Sequence, residues 1–399
     1  MNNDILTPLI PFLSACLYGD APAFYTGLDH SRKQELETQA KRFGMSSWLY
    51  RYLCAVLPND VRSDCQRVFQ VRQARSMGAI RELDRLCDVL RHNGLRFALI
   101  KGADLAYRVY PEAGLRRYGD WDIWFHPDDC GRALEVLSRD GWEVPIRYTD
   151  NHEAVMKTAA HHFSPHVRRG YKIEPHFTLP NFKGIDPHEL WQYTAECPCG
   201  GQHILTPELN LLMLTRHTAS KSYFHVSIPK LLTDAAMVMR EEKINFMKLR
   251  FMTGRWGVPY SGDLLAAFPD FFPGNVIAAF HADPEKASQF RTIFEKRAML
   301  GEPQSVSLAL NRFHAQGNTA RGLWKHICNC TPDKMRILYH LPKRGAWGRV
   351  AWAYVSYFWT RSWRVACSFA RHDKDLRDYC LMVAALESES SQETNCLPK

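Results

Sequence analysis

Asp120 and Asp122 stand two positions apart in LRRYGDWDIWFHPDD, residues 115–129, within a stretch whose apolar residues otherwise read as a buried strand. In a strand, residues two apart share a face, so the spacing predicts two carboxylates side by side while Trp121 and Ile123 point into a core. Like charges this close repel unless a cation or strong donors hold them. A divalent ion such as Mg2+ answers the need, because hard cations take carboxylate oxygen and keep water or substrate phosphates as remaining ligands. The plainer alternative is a solvated pair at a strand end, or two helix caps. Glu174, in the β-like segment GYKIEPHF, supplies a third carboxylate, enough to hold two ions or to hold one and deprotonate an acceptor. This reading requires Glu174 to turn toward the aspartates, with no lysine or arginine in the space between them.

Upstream, the apolar run LRFALI leads directly into Lys101-Gly102 and then a helix. At such a turn glycine permits close backbone approach and the helix N–H groups can face a phosphate. Lys101 adds a point charge, and Arg116 and Arg117 offer forked donors to the same polyphosphate. His176 follows Glu174 by two and shares its face, where it can orient the carboxylate or touch a nucleotide. His217 and Lys221, four apart on an expected helix, share a face that either closes over the nucleotide or carries a surface pair. Asp234 either has a part in the site or only pairs with Lys230 at i, i+4. Pro175 lacks a backbone donor and implies an edge strand or a strand end. His161, His162, His166 and His176 crowd the third carboxylate without zinc-site spacing, and the pairs Cys197/Cys199 and Cys328/Cys330 lack it as well.

The elements that must position these groups change period along the chain. Residues 1–92 read as helical from apolar residues at three- and four-residue steps, and Asn93-Gly94 ends the last helix. Strand LRFALI, helix KGADLAYRVYPE, strand YGDWDIWFH, a helix in PDDCGRALEVLSRD and a strand at GWEV then make an α/β unit. Two strands are expected within 153–179 around an Arg169-Gly170 turn, after which the sheet is expected to end. The expected division is 1–92 helical, 93–205 α/β, 206–385 helical, and 386–399 a polar, disordered tail.

The combination LIKGADLA at 99–106, YPEAGLRRYGDWDIWF at 110–125 and IEPHF at 173–177 resembles the little-characterised nucleotidyltransferase family of the polymerase-beta-like superfamily. The likeness extends to PELNLLMLTRH at 207–217 and LLTD at 231–234, and covers roughly residues 85–240. The wider superfamily has Gly-Ser or Gly-Gly where this chain has Lys-Gly. The resemblance implies an α/β (α+β) fold, a nucleotidyltransferase-type mixed sheet between helical regions. It implies Asp120, Asp122 and Glu174 as catalytic metal ligands for Mg2+ or Mn2+, and Lys101, Gly102 and Arg116 on the triphosphate side. The implied reaction is magnesium-dependent nucleotidyl transfer from a nucleoside triphosphate, ATP first, to an acceptor that is a small molecule, peptide, protein or RNA.

Composition bounds the rest. With 399 residues, 46% apolar and 23% charged, the chain has the make-up of a soluble globular protein of two or three units. No window is apolar enough for a membrane-spanning helix, and MNNDILTPLIPFLSACLYGD lacks a basic leader region, so a cytoplasmic location with reduced cysteines is expected. The net charge of +9 favours polyanionic partners. The Trp/Arg stretch from Arg349 is either a packed helix or a peripheral contact surface. Two other functions compete with the enzyme: a non-catalytic nucleotide-binding or scaffold protein, and a basic RNA-binding protein.

Overall fold

The computed structural model describes residues 8–116, 119–145, 161–182, 184–197, 201–220, 228–256, 261–299 and 347–370, with a few isolated positions between 332 and 345. Within them the chain is a mixed α/β protein with fifteen α-helices and one six-stranded sheet. The first helices are α1 Leu9–Tyr18, α2 Ala21–Thr26, α3 His30–Arg42, α4 Ser46–Leu53 and α5 Asn59–His92. As expected, α5 stops at Asn93, and Gly94 takes a left-handed φ of 64° that the lack of a Cβ makes easy.

After α5 come β1 Phe97–Ile100, α6 Lys101–Arg108, β2 Trp121–Phe125, α7 Cys130–Arg139, β3 His166–Arg168 and β4 Tyr171–His176. Arg169 and Gly170, both at positive φ, make the turn between β3 and β4. Then follow α8 Pro187–Trp191, β5 Thr194–Glu196, β6 His203–Leu205, α9 Pro207–Ser220 and α10 Ile228–Glu241. The strand order is β3-β4-β2-β1-β6-β5, with β2 parallel to β4, β1 parallel to β6, and the other pairs antiparallel.

Both faces of the sheet are covered, and side-chain alternation divides the core between them. Phe97, Leu99, Trp121, Ile123 and Phe125 pack with Leu83, Leu86 and Leu90 of α5 and with Leu137 of α7. Ala98, Ile100 and Trp124 belong to the opposite core, which joins α1 and α4 to α9 and α10. Asp122 therefore lies on the Ile100 and Trp124 face, opposite Ile100 in the β1–β2 register and opposite Glu174 in the β2–β4 register.

Two expectations about the sheet need correction. Glu143 makes only an isolated bridge to Val167, because Pro145 two residues on offers no donor to extend a ladder. The sheet also continues past residue 179, since β6 adds to β1 and β5 to β6. At three residues each, those strands are too short to show a period, and a Pro- and Gly-rich segment separates them. Residues 153–160 and the 386–399 tail lie outside the described residues.

Candidate active site

The parallel pairing of β2 with β4 builds the site. It sets Asp122 opposite Glu174 and Trp124 opposite His176, so Glu174 and His176 fall on the Asp122 face. Asp120 sits in the bend just before β2 rather than within the strand. Pro175 is not on an edge strand, because β4 has neighbours on both sides; it lies at the strand end, beyond the last β3 pair at Ile173.

Asp122 is nearly buried and its Oδ1 accepts two bonds, from Lys101 Nζ at 2.6 Å and from His176 Nε2 at 2.9 Å. A carboxylate only accepts, so the His176 proton is on Nε2. Its buried Nδ1 then has no hydrogen-bond partner among the described residues. Burial pushes the Asp122 carboxyl up, but the Lys101 ammonium and the His176 bond overcome it and hold it well below the usual range. Burial, opposed by the Asp122 bond, takes His176 down to about 4. His161 stacks on His176 at 5.1 Å, and burial lowers it to about 3.

Glu174 turns toward the aspartates, which meets the first requirement of the metal reading, but the second, a gap free of lysine and arginine, is not met. Lys172 Nζ lies 2.6 Å from Glu174 Oε1 and 3.4 Å from Asp120 Oδ2. Lys172, Glu174 and His176 alternate along β4, so all three side chains project on one face. Burial and the neighbouring Asp122 and Glu174 charges raise the Asp120 carboxyl, whereas for Glu174 burial, the largest single influence, raises it but the Lys172 bond together with the His162 and Lys172 charges brings it below the usual value. His162 Nε2 is 4.0 Å from Glu174 Oε2. His166 pairs with Ile173 and so faces the other side of the sheet.

At the strand-to-helix turn the strained residue is Lys101, with φ 56°, and not the glycine after it. A left-handed non-glycine residue costs about 1 kcal/mol. Lys101→Gly is therefore expected to be more stable than Lys101→Ala by about 1 kcal/mol in urea denaturation, the reverse of the ordinary helix ranking. Both variants lose the bond to Asp122, so the difference isolates the backbone.

Arg116 has a nearer use than a triphosphate. Its Nε and Nη2 donate to the two carboxylate oxygens of Asp234 at 2.6 and 2.8 Å, and Tyr110 donates to Asp234 at 2.7 Å. Asp234 thus pairs across the fold rather than with Lys230 one helical turn before it. Lys230 is a residue the sequence reading did not single out for the site. Burial and the nearby Arg116 bring its ammonium down to about 8, against the pull of Asp234, Asp120 and Asp122. His217 Nδ1 lies 3.2 Å from Asn181. Arg117 and Lys221 lie outside the described residues.

Among the described residues two groups have donors close enough to hold a metal ion, Asp122/Glu174/His176 and His126/Asp128/His188. In the second group Arg96 already stands 3.2 Å from the His126 ring and 3.4 Å from Asp128. In the first, His176 replaces Asp120 in the tight set, and Asp120 connects through Lys172. The chemistry of this donor set fits a hard divalent ion: Asp122 keeps Oδ2 clear of the two bonds on Oδ1, and Glu174 and Asp120 add oxygen. Lys172, 40% exposed, is held there by two ion pairs that a doubly charged ion can outcompete.

A mixed sheet carrying carboxylates from two parallel strands beside a Lys-Gly turn defines a nucleotidyltransferase type of domain. Residues 32–260 match the model of a family described as uncharacterised nucleotidyltransferase, more than half of the chain, and the protein belongs to that family. Searches of curated proteins and of solved structures found no match. No helix among the described residues is long and apolar enough to cross a membrane.

Proposed function

We propose that the protein is a metal-dependent nucleotidyltransferase acting on a nucleoside triphosphate, with ATP the first to test. An acceptor oxygen attacks the α-phosphorus, the bond to pyrophosphate breaks, and the acceptor proton leaves to a base or water. The observation that carries this reading is the register placing Glu174 beside Asp122 with Asp120 at the same strand end, in a chain of this family. Asp120, Asp122 and Glu174 hold Mg2+ or Mn2+, which when bound neutralises phosphate charge and acidifies an acceptor hydroxyl. Lys101 and His176 fix Asp122, and Gly102, at the start of α6, belongs to the triphosphate side in the same proposal. Arg116 positions the segment before Asp120 through Asp234, Lys230 faces phosphate from the helical side, and Lys221 is a further triphosphate contact in the same proposal. Cytoplasmic location and the division at 92 and 205 belong to the same proposal. So does a peripheral contact through the helix Trp347–Ala370, which exposes Trp352 and Trp359.

The bridging position of Lys172 favours a second reading, a non-catalytic nucleotide-binding protein whose lysines substitute for the ions. Incubation with each labelled triphosphate, Mg2+ or Mn2+ and cell extract separates the two: label transferred to metabolite, protein or RNA supports the enzyme. Metal-independent triphosphate binding without transfer supports the second reading. Under the enzyme reading Lys172→Met is expected to tighten Mn2+ binding about tenfold in calorimetric titration, because the ion no longer displaces an ammonium. Unchanged or weaker binding counts against the displacement.

A further inference from the structure

One face of α5 presents Arg67, Val71 and Arg75 at four-residue steps, with Val68 and Arg72 beside them. Together with Arg116 and Gly119 from the β1–β2 connection, this face lines a groove of about 670 Å³. That volume suits a small ligand or a short stretch of a longer one. Four guanidinium groups and no carboxylate are among its described lining residues. Arg72 is anchored by the Gly44 carbonyl at 2.7 Å and Arg116 by Asp234, so both are rigid walls. Arg67 and Arg75 are exposed. Arg67 has only a loose, largely solvated contact to Asp64 at 3.6 Å, and Arg75 has no ion pair among the described residues. Such a set of like charges attracts an anion, and guanidinium forks match phosphate oxygens. No aromatic ring is among its described lining residues, whose chemistry is that of guanidinium groups toward an anion.

The groove runs to Gly119, the residue before Asp120, where nothing lies within 4 Å of a Cβ built on the glycine. It thus ends one residue along the chain from Asp120, on the α5 side, while Lys101 approaches Asp122 from the end of β1. We infer that this groove binds the phosphate groups of the acceptor and leads its nucleophile to Asp120, an inference that rests on the nucleotidyltransferase reading. The same chemistry is offered by the backbone of an RNA end and by a small molecule carrying two phosphates.

The test uses the full chain and Arg67→Glu/Arg75→Glu, with a short fluorescein-labelled single-stranded RNA and adenosine 3′,5′-bisphosphate as probes. The expected result is binding of at least one probe, weakened tenfold or more in the variant, with Mg-ATP binding unchanged. For RNA the salt dependence of log Kd is expected to be shallower by about 1.4, the share of two phosphate contacts on a single strand. RNA binding that the bisphosphate does not displace identifies a strand, and displacement identifies a small acceptor. Equal affinities of variant and wild type, binding of neither probe, or loss of Mg-ATP binding in the variant overturns the inference. Asp120→Asn separates it from the reading beneath it: that variant is expected to keep probe binding, and if it also kept transfer the catalytic assignment would fall while the groove stood.

Discussion

Asp120→Asn and Asp122→Asn are each expected to lower nucleotidyl transfer about a thousandfold or more, read as label moved from triphosphate to acceptor. Their effects on stability should differ. The Asp120 side chain is 38% exposed, and its contact is the solvated Lys172, so its loss leaves the denaturation midpoint nearly unchanged. Asp122 is buried against Lys101 and His176, and its loss leaves an ammonium without its counter-charge, a cost of about 2 kcal/mol. Because the folded carboxyl lies below the ordinary value, its contribution is complete above about pH 4 and is lost as pH falls through the folded value. The gap between wild type and Asp122→Asn should therefore be full at neutral pH and close in acid. His176 has the same sign: with its folded value near 4, it contributes stability above about pH 6.5 that declines as pH falls toward 4. His176→Gln should flatten that part of the stability profile.

Asp234→Ala should produce the largest loss of stability. Arg116 and Asp234 are 5% and 3% exposed at their side chains, and the alanine takes the carboxylate from a buried guanidinium and leaves the Tyr110 hydroxyl only its longer bond to Thr233. Breaking a buried pair on one side costs about 3–5 kcal/mol, whereas replacing both partners by apolar groups is often close to neutral. Arg116→Met/Asp234→Leu is accordingly expected to recover most of the denaturation midpoint that Asp234→Ala loses. Equal loss in both would show that the pair is not the cause. The single variant should also depress transfer, because Tyr110 and Arg116 bracket the connection that delivers Asp120 and tie it to α10.

How much of this could be read from the chain depends on the range of each interaction. LRFALI, Lys101-Gly102 and DWDIWF declared their structure locally, through apolar runs bounded by turn residues, and β1, α6 and β2 fall where those runs predict. The mixed α/β class and the family likeness followed from the same segments. The pairing of β2 with β4 was not legible, since strand register depends on contacts some fifty residues apart and a one-residue slip would turn Glu174 to the other face. Lys172 was available to the period-two argument that selected Glu174 and His176. Its role as a counter-charge was not legible, because which carboxylate its ammonium meets depends on the β2–β4 register. The partner of Arg116 lies 118 residues away, and the near match Lys230–Asp234 concealed it. Lys230 carries no local signature, because its low value comes from burial that only the packed helices impose.

The central claim is that the three carboxylates accept a divalent ion in place of the Lys172 ammonium. Titration of the full-length protein with Mn2+, followed by the electron paramagnetic resonance of the free ion, addresses it directly. Saturable binding in the wild type that is lost in Asp120→Asn, Asp122→Asn and Glu174→Gln is the predicted result. Absence of saturable binding, or binding that all three variants retain, would contradict the account.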